Sequence, residues 1–111
     1  MLFRSEDDAY HDLRYYGTSL PPLNALVNNP NAVYTGTFSK IIAPGLRVGY
    51  LCADPALVAR LSQLKQITDL HTGSLTQRIV YRFCAEGFLE PQLAHQNGIY
   101  RRRLEIGRAH V

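Results

Sequence analysis

Two runs of strand-forming residues, Ala32-Val33-Tyr34-Thr35-Gly36-Thr37 and Val48-Gly49-Tyr50-Leu51-Cys52-Ala53, flank a connection that contains Pro44 and Gly45. Proline lacks an amide hydrogen and clashes with the preceding turn, while glycine loses the most freedom when ordered, so no long helix can cross that connection. The runs themselves are rich in β-branched and aromatic residues, which fit a pleated surface. They predict strands over residues 32–37 and 48–53 with an irregular loop between them. Loops at strand ends on a rigid sheet are where α/β proteins usually place their chemistry.

Beyond residue 53 the apolar period lengthens. Asp54-Pro55 is a helix start, a capping carboxylate followed by proline at the first position, and Leu57, Leu61, Leu64 and Ile67 then recur at helical spacing as a core-packing stripe. Ser74 and Gln77 form a capping-box pattern, after which Leu75, Ile79, Val80 and Phe83 make an apolar face that stops at Gly87. A third helix is predicted from Glu90-Pro91 to about Leu104, with weaker periodicity. The stretch from Tyr10 to Asn31 holds Gly17, Pro21, Pro22 and Pro30 and reads as mainly irregular, with a short helical turn near Leu23 to Val27. The expected class is α/β, strands plus three helices.

The connection reads Thr37-Phe38-Ser39-Lys40-Ile41-Ile42-Ala43-Pro44-Gly45-Leu46-Arg47. A lysine forms a Schiff base when it is held against a carbonyl and partly deprotonated by desolvation or a neighbouring cation. Arg47 can be that cation and can also grip a phosphate with its planar fork, and Thr37 and Ser39 add hydroxyl donors. An aldehyde bearing its own phosphate satisfies all four side chains, and pyridoxal phosphate is such a molecule. The rival Ser-x-x-Lys hydrolase pattern needs a helix that Pro44 and Gly45 interrupt. Upstream, Glu6-Asp7-Asp8-Ala9-Tyr10 joins an acidic cluster to a phenol. A carboxylate there can keep a pyridine nitrogen protonated, and a tyrosine hydroxyl can bond the ring oxygen. Taken alone the acidic run is a solvated loop; beside the lysine block it becomes part of the same site.

These strings, with Leu20-Pro21-Pro22-Leu23, Ala43-Pro44-Gly45-Leu46-Arg47-Val48-Gly49-Tyr50 and Asp69-Leu70-His71-Thr72, resemble the fold-type I, class I/II aminotransferases. Within them the chain is most similar to the 2-aminoadipate aminotransferase group. The resemblance spans most of residues 6 to 104 and implies an interior slice of the large α/β domain of a cytoplasmic, homodimeric enzyme that moves an amino group between an amino acid and a 2-oxo acid. It implies that Lys40 carries pyridoxal 5'-phosphate and shuttles the proton, that Asp7 pairs with the pyridine nitrogen and that Tyr10 contacts the ring oxygen. Thr37, Ser39 and Arg47 would hold the phosphate; the family usually has serine where Thr37 stands, and either hydroxyl can donate. His71 is a weaker proton carrier than Lys40, which sits beside the reacting carbon. The family's glycine-rich phosphate loop, its cofactor-stacking aromatic ring and its substrate-carboxylate arginine have no counterparts here, so the chain alone is expected to bind cofactor poorly and to be inactive. An alternative parent is a transcription regulator that uses this fold to sense the cofactor behind a DNA-binding domain. Such regulators tend to carry an Asp-Asp-Tyr-Asp-type string, against Asp7-Asp8-Ala9-Tyr10 here. A third possibility is a piece with no function of its own.

The termini carry a different signal. Leu2-Phe3-Arg4-Ser5 is the translation of CTC TTC CGA TCT, and Ile106-Gly107-Arg108-Ala109-His110-Val111 that of ATC GGA AGA GCA CAC GTC, both resembling sequencing-library adapters. Residues 1–5 and 105–111 are therefore expected to be non-native ends around a partial domain at 6–104. The formal charge of +3 falls to +1 without Arg4 and Arg108, which leaves ten basic side chains against nine acidic. That balance predicts neither a nucleic-acid nor a membrane partner, and Arg101-Arg102-Arg103 reads as a solvated helix end. Cys52 and Cys84 belong to no Cys-x-x-Cys pair. They indicate no metal site and are expected to be small buried residues in a reducing cytoplasm.

Overall fold

In the computed structural model, residues 4–110 are described. Strand β1 (Arg4–Asp7) is followed by a one-turn helix α1 (Leu23–Leu26), strand β2 (Ala32–Thr37), a 3-10 turn at Pro44–Leu46 and strand β3 (Gly49–Ala53). Three longer helices follow: α2 (Pro55–Asp69), α3 (Ser74–Ala85) and α4 (Leu89–Ala109). The sheet has the order β1-β2-β3. β1 runs parallel to β2 with Asp7 opposite Thr35, and β3 runs antiparallel to β2 with Tyr50 opposite Gly36. Both predicted strands are present, and β1 is an addition. Its Arg4-Ser5-Glu6-Asp7 sequence has no apolar alternation, so only pairing with β2 defines it. Arg4 and Ser5 thus lie in a strand, and residues 105–109 lie within α4.

One sheet face carries an aromatic ridge. The Tyr50 ring centroid lies 5.4 Å from that of Phe38 and 6.2 Å from that of Tyr34. The ridge exists because Gly36 opposite Tyr50 has no side chain; a Cβ there would collide with the Tyr50 ring. Ala32, Val33, Ile41, Val48 and Val80 form the buried core.

The helix starts obey their local chemistry in part. Asp54 caps α2, its Oδ1 accepting from the Ala56 amide at 2.9 Å, with Pro55 at the first position. The Ser74–Gln77 capping box does not form. Gly73 is the cap and Ser74 already the first helical residue, while Thr76 and Gln77 reach back to the Gly73 and Thr72 carbonyls at 2.8 and 2.7 Å. Nor is the α2 stripe a core: Leu64 and Ile67 are 59% and 84% exposed. That apolar face needs a surface the described residues do not supply. Cys52 is likewise exposed rather than buried, because β3 is an edge strand whose outer side is uncovered, and Cys84 is half-buried. Both thiols are free.

The fold is correspondingly open. Its radius of gyration is 16.8 Å, against about 13 Å for a compact domain of this length. Its accessible surface is 8572 Å², against about 6,200 Å² for a folded monomer of this mass. No helix is long and apolar enough to cross a membrane among the described residues.

Candidate functional site

Parallel pairing of β1 and β2 brings their carboxyl ends to the same edge of the sheet. Asp7 is the last residue of β1 and Thr37 the last of β2. Asp7 is in register with Thr35, and the two-residue period of a strand puts Thr37 on that same face. The Thr35 hydroxyl approaches Asp7 Oδ1 at 3.5 Å, and the Asp7 carboxylate is otherwise open to solvent. Carboxyl ends of parallel strands are the usual binding edge of open α/β sheets.

Past Thr37 the chain folds into a turn locked from below. The Phe38 amide donates to Val48 O at 3.0 Å and the Ile42 amide to Phe38 O at 2.8 Å, while the Ile41 side chain is buried. Anchoring Ile41 inward leaves Lys40, its neighbour, directed outward and exposed. Thr37 Oγ1 accepts from the Ser39 amide at 3.1 Å and donates to Val48 O at 3.4 Å. The hydroxyl proton is thus engaged, though by a long bond that a small rotation releases. Ser39 lies beside Lys40 on the wall of a cavity of about 530 Å³, lined also by Tyr10, Tyr15, Gln92, Gln96 and Tyr100.

Tyr10 reaches this cavity through a braced loop. Asp8 accepts from the Tyr34 hydroxyl at 3.3 Å and shares a 2.7 Å hydrogen bond with His11 Nδ1, and the Asp8 amide donates to Thr35 O at 3.0 Å. Burial, the Tyr50 hydroxyl and the Asp8 carboxylate together push the Tyr34 phenol well above its ordinary range, so it stays a donor. The loop is held on its other side by α4. Asn97 Nδ2 donates to Asp12 O at 2.9 Å, Arg101 Nε to Tyr15 O at 2.9 Å, and the Tyr16 hydroxyl to Glu105 at 2.8 Å. Between these braces Lys40 Nζ stands 5.7 Å from the Tyr10 ring centroid. An ammonium over a ring face is attracted by the π quadrupole.

Arg47 occupies a different position. It ends the 3-10 turn in the left-handed region, φ 51° and ψ 42°, with its amide and guanidinium both directed to Pro44 O at 3.4 Å. Its side chain is exposed and does not line the Lys40 cavity. A non-glycine residue held there costs on the order of 1 kcal/mol or more. The structure therefore brings Lys40, Ser39 and Tyr10 together around one cavity, sets Asp7 and Thr37 at the strand ends, and leaves Arg47 outside the cavity with its guanidinium on Pro44 O. Sequence reasoning missed Asp8, His11 and Gln96. Asp8 was visible only as one acid among three, and Gln96 as one polar residue on a weakly periodic helix.

A family model described as aminotransferase class I and II matches residues 6–103. The 2-aminoadipate transaminase of Thermus thermophilus is 40% identical over 103 residues, which cover 90% of this chain and 26% of that protein. The HTH-type pyridoxine biosynthesis transcriptional regulator PdxR of Corynebacterium glutamicum is 36% identical across 91% of this chain and 22% of its own length. Among solved structures, kynurenine aminotransferase of Pyrococcus horikoshii, in complex with PMP, superposes with a TM-score of 0.87 at 38% identity, covering 91% of this chain and 25% of that one. LysN, the alpha-aminoadipate aminotransferase of Thermus thermophilus complexed with N-(5'-phosphopyridoxyl)-L-leucine, gives 0.86 at 38% identity over 94% and 27%. The chain spans about a quarter of the length of these relatives.

Proposed function

The chain belongs to the aminotransferase class I and II family, and on that footing we propose that it carries the reactive lysine of a pyridoxal phosphate-dependent aminotransferase acting on an amino acid and a 2-oxo acid. One observation supports this most directly. Lys40, on a turn anchored by buried Ile41, presents its amine to the cavity wall shared with Ser39 and Tyr10. The residue types suit the group: Lys40 would bind its aldehyde, Asp7 its pyridine nitrogen and Tyr10 its ring oxygen, with Ser39, and Thr37 and Arg47 once released from Val48 O and Pro44 O, as phosphate donors. When bound, pyridoxal phosphate supplies an electron sink for a proton leaving the substrate carbon.

The remaining work falls to the chain. Lys40 Nζ would hold and move that proton, as the amine that lines the cavity. Asp7, exposed at the end of β1, would keep the ring nitrogen protonated by charge-assisted hydrogen bonding. Tyr10, whose ring lies against the Lys40 amine, would orient the lysine and donate to the ring oxygen. The whole protein in this reading is a cytoplasmic homodimer.

Borohydride reduction of the chain with excess pyridoxal phosphate, followed by peptide mass analysis, tests the assignment. Lys40 should take the phosphopyridoxyl group in preference to Lys65, the other lysine of the chain, which is paired with Asp69 at 2.8 Å. Lys40→Ala should abolish the preferred label; equal labelling of both lysines would defeat the proposal. A second reading, a cofactor-sensing domain of a regulator, is favoured by the similarity to regulators such as PdxR. Amino-group transfer by the full-length parent supports the enzyme. A winged helix-turn-helix segment upstream with no turnover supports the regulator.

A further inference from the structure

Gln96 is the residue through which α4 touches the lysine turn. Its Nε2 donates to the Lys40 carbonyl at 2.7 Å and to the Tyr100 hydroxyl at 3.1 Å, while its Oε1 is buried with no partner among the described residues. Lys40 itself is exposed and its turn is short, closed by Ile42 at 2.8 Å and only loosely by Ile41 at 3.4 Å, both onto Phe38 O. The Lys40 peptide unit is thus held from two sides, by Ile41 buried in the core and by an amide from a helix far along the sequence. Burying the Gln96 carbonyl unpaired carries a desolvation cost. Together these observations fit a side chain whose placement is set by the Lys40 and Tyr100 bonds rather than by its own solvation.

We propose that Gln96 is a positioning residue for Lys40, fixing the lysine backbone so that the amine stays over Tyr10 and within the cavity. This rests on the assignment of Lys40 as the cofactor-binding lysine. Tyr100 acts behind it by orienting the amide, which stops Gln96 from swinging off the carbonyl. The role differs from the other α4 clasps, since Asn97 and Arg101 bond Asp12 and Tyr15 of the preceding loop and not the lysine turn.

The test is phosphopyridoxyl trapping of the 111-residue chain with pyridoxal phosphate, read as the ratio of label at Lys40 to label at Lys65. Gln96→Met, and the isostere Gln96→Glu that lacks the N–H donor, should each lower that ratio about fivefold, the loss expected for one net hydrogen bond. Gln96→His, whose ring N–H can donate at similar reach, should restore part of it. His95→Ala, an exposed change on α4 beside Gln96, should leave the ratio unchanged, and circular dichroism should report equal helix content throughout. A wild-type chain with no preference for Lys40 would sink the assignment of the lysine. A wild-type preference that survives Gln96→Met, or that His95→Ala erodes equally, would overturn the positioning role alone.

Discussion

At the residue scale one candidate site side chain is placed by unusual backbone. It is Arg47: a residue with a Cβ sits in the left-handed region at the end of a 3-10 turn, where glycine is the unstrained choice. Strain of this kind persists where the side chain is needed for something the backbone does not reward. Replacing Arg47 with glycine should separate the two effects. The urea midpoint of the chain should rise, by the equivalent of roughly 1 kcal/mol, while phosphopyridoxyl labelling of Lys40 should fall if the arginine has the phosphate-binding role we propose. A variant that loses both stability and labelling would mean the arginine serves the fold. Gly36 makes the opposite case, since its missing side chain makes room for the Tyr50 ring.

At the element scale, α2 is held by its ends, while α4 is held by side chains in its middle, Gln96, Asn97 and Arg101. α2 begins on a side-chain cap at Asp54 and finishes at Leu70, whose φ of 65° and ψ of −67° form a γ-turn closed by the His71 amide on Asp69 O at 2.8 Å. That turn is strained for leucine. Leu70→Gly is therefore expected to raise the thermal midpoint of the chain, with a gain of about 1 kcal/mol, as followed by circular dichroism at 222 nm. A drop would show that the apolar Leu70 side chain matters more than its backbone. The sequence-level reading of the elements succeeded where a signal was local. β2 and β3 follow from their β-branched and aromatic residues, and the α2 start from Asp54-Pro55. It failed where the determinant was a partner. β1 has four polar residues and exists only beside β2, and the capping box at Ser74 lost to Gly73, Thr76 and Gln77 one step earlier. The site divides the same way. Lys40, Ser39 and Tyr10 were legible as contiguous strings, whereas Gln96 depends on α4 folding back over residues it never neighbours in sequence.

On the scale of the whole molecule, the surface is larger and more apolar than the chain's size warrants. Ile67 and Leu75 are 84% and 73% exposed, and Leu64, Leu70 and Tyr81 stand out with them. A single small core cannot supply much stability to a chain of this length. Exposed apolar surface and a flat β3 edge favour association. The isolated chain is accordingly expected to bind an apolar dye and to elute from a sizing column in a concentration-dependent way. Ile67→Glu should weaken both behaviours and leave the Lys40 to Lys65 labelling ratio intact. The same openness predicts no measurable amino-group transfer by the chain alone, checked by coupled assay against the full-length parent.

The parallel pairing of β1 with β2 also has a consequence in time. β2 and β3 can close across residues 38–48, but β1 must wait for the whole 8–31 connection to be made before its partner exists. Closing a longer loop costs more entropy, and non-local parallel pairs form late. On a ribosome, which releases the amino-terminal end first, Asp7 leaves the exit tunnel well ahead of Lys40 and yet reaches its place beside Thr35 after the lysine turn has something to rest on. A part of the site made early is installed only after a part made later.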